Sequence, residues 1–513
     1  LPGVKIFRPA GFLALLLAWC GFALPAFAEP SAPLIFIPGY AASAPKRGEI
    51  VYYAFHRGVE PTILNLSVSY RALVRSLKRA GYVEGRTFFG AVFDWRMPAA
   101  PADGKRDGTL ERLTAAEITS GTYDYAVNYL GYWLDQAVQA NPGLEYVDVV
   151  THSTGGILVR AYIQSPAYGA TYVDTHGVLR RLPKIRHLIL GAAPCEGTVH
   201  SWRPWHGDFQ DVLSGFIPTT EIEARFAALA FAYVSLGGTI PGPNRDITRA
   251  DILRSDRKGR RIPDPTKFFR LYDPMRQSLM PTDAFLRDKD TPKRHAINDR
   301  PALRSDVLLD LNAKSSSGHN PWVRRVGTPS GAGGVIATYA TGAKERTGVK
   351  DLFIPGLIDK NPFIKTLVEI VQLGPREGDY LPLTKLLTEK NPQTVPVSTS
   401  PFFRIGNREV KHELGGDGNA PFTSYRSTFA GDPRVTLVQW GNGAPPAWVP
   451  ADKVWTRETN YPVYHDAFFY NPDVRRFVVR TLTGETLPAE PVLTREERRL
   501  LERFLSGNLL SAD

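Results

Sequence analysis

Up to Gly197 the chain alternates two hydrophobic rhythms. Short, mainly apolar runs stopped by polar, Gly or Pro signals read as buried strands. They are Pro33 to Tyr40 (Leu34-Ile35-Phe36-Ile37 halted by Pro38-Gly39), Phe88 to Arg96, Val147 to Thr151, and Ile185 to Leu190 ended by Gly191. Between them apolar residues recur at helical spacing. Ser67 to Ala80 carries Leu73, Val74 and Leu77 on one face with Gly81 as its stop. Tyr123 to Ala140 is closed by Asn141-Pro142-Gly143, and Ile157 to Gln164 follows the third strand directly. Strands alternating with helices predict the α/β class, a mostly parallel sheet covered by helices on both faces.

After Gly197 this rhythm breaks. Residues 199–330 hold helical segments and many prolines without strand alternation, as an inserted cap or lid would; Thr220 and Glu223 form a capping box for a helix running to Leu236, with Gly237 as its stop. Core-like strands return at Val335 to Ala340 and Arg434 to Trp440, so residues 29–198 and 331–490 are expected to form the two parts of one core. Residues 343–410 carry no assignable pattern. A terminal helix over 491–513 begins at Thr494, where Glu497 completes another capping box.

At 513 residues the chain is long enough for a sizeable core with insertions. Residues 1–28 read as an export signal. Lys5 and Arg8 precede the apolar run Gly11 to Leu24, and Ala26-Phe27-Ala28 is a small-x-small cleavage site. The expectation is an exported, periplasmic or secreted protein cleaved after Ala28, the competing reading being an uncleaved anchor. Cleavage removes Cys20 and leaves Cys195 alone, which excludes an intramolecular disulfide. The net charge of +11 falls to +9 without Lys5 and Arg8, and acidic and basic residues are interspersed. The one basic cluster, Arg254 to Arg261, contains Asp256 and Gly259 and no aromatics, which argues for a solvated loop and against nucleic acid. No His-Glu-x-x-His, cysteine pair or Asp-rich calcium loop is present, so neither a metal nor another cofactor is expected.

The chemistry concentrates at Thr151-His152-Ser153-Thr154-Gly155-Gly156, a serine on a sharp strand-to-helix turn. This is similar to the nucleophile elbow of the α/β-hydrolases, with Thr151 where the first Gly usually stands. The plain alternative is a Ser/Thr-rich cap of the next helix. A nucleophilic serine needs a base, a carboxylate that orients it, and two N–H donors for the oxyanion. In that fold the acid and the histidine follow the serine in this order. Asp417, in the turn Gly415-Gly416-Asp417-Gly418, is the candidate acid and Asp379 its substitute. Only His465 lies beyond Asp417, so it is the candidate base. His412 breaks the order, and His152, too close to its neighbour's hydroxyl to serve it, reads as structural. The N–H groups of Tyr40 and Thr154 are the candidate oxyanion hole.

Four stretches together resemble the lecithin:cholesterol acyltransferase-like branch of the α/β-hydrolases. They are Pro38-Gly39 ending the first strand, Phe93-Asp94-Trp95-Arg96, the elbow, and Gly416 to Ser424. The resemblance implies an α/β-hydrolase fold with an inserted cap and a lipid acyl-ester substrate. It also implies Ser153, Asp417 and His465 as triad, Tyr40 and Thr154 as oxyanion hole, and Asp94, Trp95 and Arg96 as residues bordering the site. The expected function is thus an exported serine esterase, lipase or O-acyltransferase. The alternatives are a small-ester or polyester hydrolase on the same fold and a noncatalytic binding protein that kept it.

Within the cap, Trp205, Phe209, Val212, Leu213 and Phe216 share one helical face, with Pro204 before and Pro218 beyond. As a lid, this helix predicts transient contact with a membrane or micelle surface. Permanent packing inside the cap is the competing reading.

Overall fold

The computed structural model describes residues 30–316 except 47, 68–69, 103–109, 199–200, 202–204, 206–217, 243–244, 257, 283–285, 289–293, 296 and 300. Beyond these it describes short strands between 394 and 457, and residues 465, 468–470 and 472–484. The signal segment, the terminal helix, Val335 to Ala340 and the region 343–393 lie outside the described residues.

Four strands, β1 (Leu34–Ile37), β2 (Phe88–Gly90), β3 (Tyr146–His152) and β4 (Lys184–Gly191), form one sheet in the order β2-β1-β3-β4. All pairings are parallel: Leu34 lies opposite Phe88 and Asp148, Ile37 opposite Thr151, and Thr151 opposite Leu190. The carboxyl ends of the strands therefore share one edge, where open α/β sheets place their ligands.

Eight helices are labelled in chain order: α1 (Ile50–Phe55), α2 (Arg71–Arg79), α3 (Ala126–Ala140), α4 (Gly155–Ile163), α5 (Pro218–Ser235), α6 (Pro265–Tyr272), α7 (Asp306–Ser316) and α8 (Pro472–Thr483). Because side chains alternate along a strand, Leu34, Phe36, Val150 and Ile189 face one side, against Leu73 and Leu77 of α2 and Val474 and Val478 of α8. Ile35, Ile37, Val149, Leu188 and Leu190 face the other, against α3 and α4. Burial on both faces explains why the strands read as mainly apolar runs without polar alternation.

Several elements are shorter than their patterns predict, among them the helix expected from Tyr123, which starts at Ala126. The helix expected from Ser67 starts at Arg71, and just ahead of it the Tyr70 N–H bonds the Ser67 carbonyl at 3.2 Å. The strand expected to reach Arg96 ends at Gly90. Past it the Asp94 carboxylate takes the Arg96 N–H at 3.1 Å, and the Met97 N–H bonds the Asp94 carbonyl, bending the chain into a turn.

The region expected to form a cap has a separate cluster, in which Ala230, Phe231 and Val234 of α5 meet Phe268, Phe269 and Tyr272 of α6. Its helix runs Pro218–Ser235, and Gly237, at φ +102°, takes the left-handed conformation that ends it. The same region is not wholly helical: the basic cluster at 254–261 spans an antiparallel pair, Leu253–Ser255 with Arg261–Pro263. The Asp256 carboxylate closes its tip by accepting the N–H groups of Lys258 and Arg260. Leu437–Gln439, inside the strand expected from Arg434, pairs in parallel with Trp455–Arg457. Among the described residues no helix is long and apolar enough to cross a membrane, and no group of three or more His, Cys, Asp or Glu could hold a metal.

Candidate active site

β3 runs into α4 through a single bend at Ser153, whose φ of +51° is a left-handed conformation rare for a residue with a side chain. Two glycines permit the bend. A Cβ on Gly155 would stand 2.5 Å from the Ile37 carbonyl oxygen, and one on Gly156 would stand 2.4 Å from the Cβ of Ala193, so α4 starts pressed against the ends of β1 and β4. Thr151, in place of the usual glycine, is accommodated in the sheet interior. It is fully buried and its hydroxyl lies 3.4 Å from the Ile189 carbonyl. The narrow position is instead Gly191 on β4, where a Cβ would come within 2.8 Å of the Thr151 carbonyl and 2.7 Å of the Phe468 ring. The Ser153 N–H donates to the Gly191 carbonyl at 2.8 Å.

The structure brings His465, far along the chain, to this bend, with its Nε2 2.8 Å from the Ser153 Oγ. Both residues are buried. Behind His465 the chain makes a 3-10 turn, Phe468–Tyr470, and enters α8. The Phe468 and Phe469 rings pack on His152 and on each other. His152 is buried and donates from Nε2 to the His465 carbonyl at 2.8 Å, while its Nδ1 lies 3.0 Å from the Tyr70 hydroxyl. Burial first, and then the nearby charge of His465, hold the His152 imidazole well below the usual histidine range.

Thr154 follows Ser153 in the chain, and Tyr40 lies one residue past Gly39, whose backbone closely approaches Ser153. Thr154 is the residue before the first turn of α4, where unpaired N–H groups and the positive end of the helix dipole lie. Tyr40 follows Gly39, which touches Ser153 directly, and precedes Ala41 at φ +52°. The Tyr40 hydroxyl bonds the Asp273 carboxylate, its ring meets Trp95 edge-on at 5.1 Å, and the Arg276 guanidinium sits 4.3 Å from its centre.

Trp95 thus borders the site through Tyr40, and Asp94 and Arg96 stand one layer farther out. They form a fully buried bidentate pair, Nε to Oδ1 and Nη2 to Oδ2, both 2.8 Å. The remaining Arg96 donors reach the Tyr53 and His56 carbonyls at 2.6 Å and the Tyr272 hydroxyl at 2.7 Å, and the guanidinium stacks 3.8 Å over the Tyr53 ring. Burial raises the Asp94 carboxyl, but the Arg96 charge and hydrogen bonds outweigh it and hold the group below the usual carboxylate range. The Asp94-Trp95-Arg96 segment therefore joins β2 to α1 and to α6 in the cap.

Sequence reasoning missed Tyr70, Asp273 and Arg276. Asp273 is the residue just past α6, and nothing in the sequence pairs it with Tyr40. Of the lid candidates, Trp205 is buried against α6, its carbonyl accepting from Arg270 Nε at 2.6 Å and its ring lying 5.4 Å from that guanidinium. Phe209, Val212, Leu213 and Phe216 lie outside the described residues, as do Asp417, its substitute Asp379, and His412.

No protein-family model matches the chain, and no match was found among curated proteins. Solved structures resemble it weakly. EstA from Clostridium botulinum aligns with a TM-score of 0.33 and 11% identity over 95% of this chain and 93% of its own. Lipase 1 from Pelosinus fermentans aligns with a TM-score of 0.32 and 13% identity over 90% and 100%. The Tle4–Tli4 complex aligns with a TM-score of 0.30 and 13% identity over 89% and 99%. At such scores the reading of function rests on the site's own geometry.

Proposed function

We propose that this chain is a serine hydrolase of acyl esters, with Ser153 as nucleophile and His465 as its base. The observation that carries the reading is the 2.8 Å contact between His465 Nε2 and the Ser153 Oγ at a left-handed strand-to-helix bend. In this mechanism the Oγ attacks the ester carbonyl carbon while Nε2 takes the hydroxyl proton. The N–H groups of Tyr40 and Thr154 receive the negative oxygen of the tetrahedral intermediate, each donor lowering the barrier by about 3 kcal/mol. Collapse breaks the ester C–O bond, the departing alcohol takes the proton from His465, and the acyl group stays on Ser153. Water or a second alcohol then attacks, giving its proton to His465, and Ser153 is released.

For Nε2 to accept a proton, the neutral imidazole must carry its hydrogen on Nδ1, and a carboxylate on that side stabilises the imidazolium. Asp417 fills this role by the resemblance of its Gly-Asp-Gly loop. That resemblance, with Phe93 to Arg96, also supports a lipid acyl ester as substrate and α/β-hydrolase architecture. Residues 1–28 support export.

The test is steady-state kinetics on a soluble short-chain ester and on a phospholipid. Ser153→Ala and His465→Ala should each lower kcat by about 10⁴-fold or more, and Asp417→Asn steeply, with the fold kept. Folded protein without turnover would leave a noncatalytic binding protein, and turnover confined to the short ester would leave a small-ester hydrolase. Adding a sterol or diacylglycerol and analysing the products separates an acyltransferase from a hydrolase.

A further inference from the structure

The catalytic scheme above makes no use of a buried, uncharged chain of hydrogen bonds that touches three separate loops of the site. The Gly39 N–H points at the Tyr70 Oη at 3.0 Å, that hydroxyl lies 3.0 Å from His152 Nδ1, and His152 Nε2 lies 2.8 Å from the His465 carbonyl oxygen. The direction of the chain follows from chemistry. An amide N–H only donates, so the Tyr70 oxygen accepts it and its own proton remains for Nδ1. A carbonyl only accepts, so the single proton of a neutral His152 sits on Nε2. Every member then has a donor matched to an acceptor, in one tautomer. Burial, which disfavours a charged His152, agrees with this arrangement.

The two ends of the chain are the two loops whose spacing from Ser153 matters most. Gly39 precedes Tyr40 in the oxyanion loop, and the His465 carbonyl belongs to the residue whose side chain meets the Ser153 hydroxyl. His152 itself is the last residue of β3, immediately before the bend. We propose that Tyr70 and His152 are positioning residues that fix the oxyanion loop and the base loop relative to Ser153. This inference rests on the serine-hydrolase reading and deepens it. Bonding to the backbone of His465 and not its ring leaves both imidazole nitrogens for catalysis.

Packing alone is the competing role, because Tyr70 and His152 also meet Phe36, Phe468 and Phe469 edge-on or stacked. The two roles separate by which atom of His152 is preserved. His152→Gln places an amide N–H where Nε2 sits, and His152→Asn places a carbonyl oxygen where Nδ1 sits. Tyr70→Phe removes one hydroxyl with no loss of ring packing.

The experiment is kcat and KM for a soluble short-chain ester with the full chain and these three variants, alongside thermal unfolding and Ser153→Ala. Positioning predicts that Asn and Tyr70→Phe lower kcat by about 10- to 100-fold at little change in KM, as loops shift by fractions of an ångström, and that Gln, which keeps the bond to the His465 carbonyl and gives up only the one to Tyr70, loses clearly less than Asn. Equal kcat for Gln and Asn, an unchanged kcat in Tyr70→Phe, or losses that follow the fall in Tm overturn the positioning role. Those outcomes leave the serine mechanism standing if Ser153→Ala is inactive, whereas full turnover by Ser153→Ala overturns the mechanism itself.

Discussion

A Cβ added to Gly39 would stand 2.9 Å from the Cβ of Ser153 and 3.0 Å from Nδ1 of His152. The loop after β1 is thus packed against Ser153 with no space for a methyl group. Gly39→Ala should fold, since Gly39 is not in a left-handed conformation, at a cost of about 1–3 kcal/mol for overpacking. It should lower kcat by roughly 10-fold or more through displacement of Tyr40 and Ser153. Parallel measurements of Tm and of ester turnover check this; full activity would mean that the loop can withdraw from Ser153 without consequence.

The Asp94–Arg96 pair is a structural tie, so its loss should act on stability. Arg96→Met leaves a buried carboxylate without its partner, and about 3–5 kcal/mol of destabilisation is expected. The double variant Asp94→Leu, Arg96→Met should be closer to wild type than Arg96→Met alone, because it buries no lone charge. Denaturant unfolding of the single and double variants measures the difference. Equal losses in both would assign the cost to packing around Tyr53 and Tyr272.

His152 gives the protein a dependence on pH. Its folded pKa lies well below the ordinary value near 6.5, so in the unfolded chain it takes up a proton that the folded chain refuses. The stability it contributes is complete above about pH 6.5 and is lost progressively as the pH falls from there towards the folded value. His152→Gln, which cannot titrate, should show a smaller drop in Tm between pH 7.5 and pH 5. The groups facing His152, Tyr70 and His465, are unchanged in this comparison, so the difference reports His152. Parallel Tm curves for the two proteins would contradict the assignment.

Trp205 separates a lid from a packed cap. Its burial against Arg270 predicts that Trp205→Ser lowers Tm and reduces turnover of soluble and micellar esters alike. Loss confined to the micellar substrate, with Tm unchanged, would return Trp205 to a mobile amphipathic helix.

Much of the architecture was legible because its causes are local. Leu34 to Ile37 is apolar at every position and Val147, Val149 and Val150 carry the same signal around a buried Asp148, as strands covered on both faces allow, and Gly155-Gly156 permits the bend at Ser153. The partnership of Ser153 with His465 was readable only through chain order and through His465 being the one histidine past Asp417. What stayed illegible depends on contacts between distant segments. No spacing links Tyr40 to Asp273, Tyr70 to Gly39, or Arg96 to Tyr272, since each pair is set by where the cap and α2 come to rest on the core. The pattern also extended β2 too far, because periodicity carries no sign that the Asp94 carboxylate will take the Arg96 N–H and turn the chain.

The central claim is that Ser153 is a nucleophile activated by His465, and covalent trapping tests it most directly. A fluorophosphonate reacts with an activated serine hydroxyl in the same geometry as an ester. Intact-mass and peptide mass spectrometry of the treated, folded chain should show a single adduct on the peptide containing Ser153. The adduct should be absent in Ser153→Ala and should form far more slowly in His465→Ala. Folded wild-type protein that remains unlabelled, or an adduct that persists in Ser153→Ala, would contradict the account.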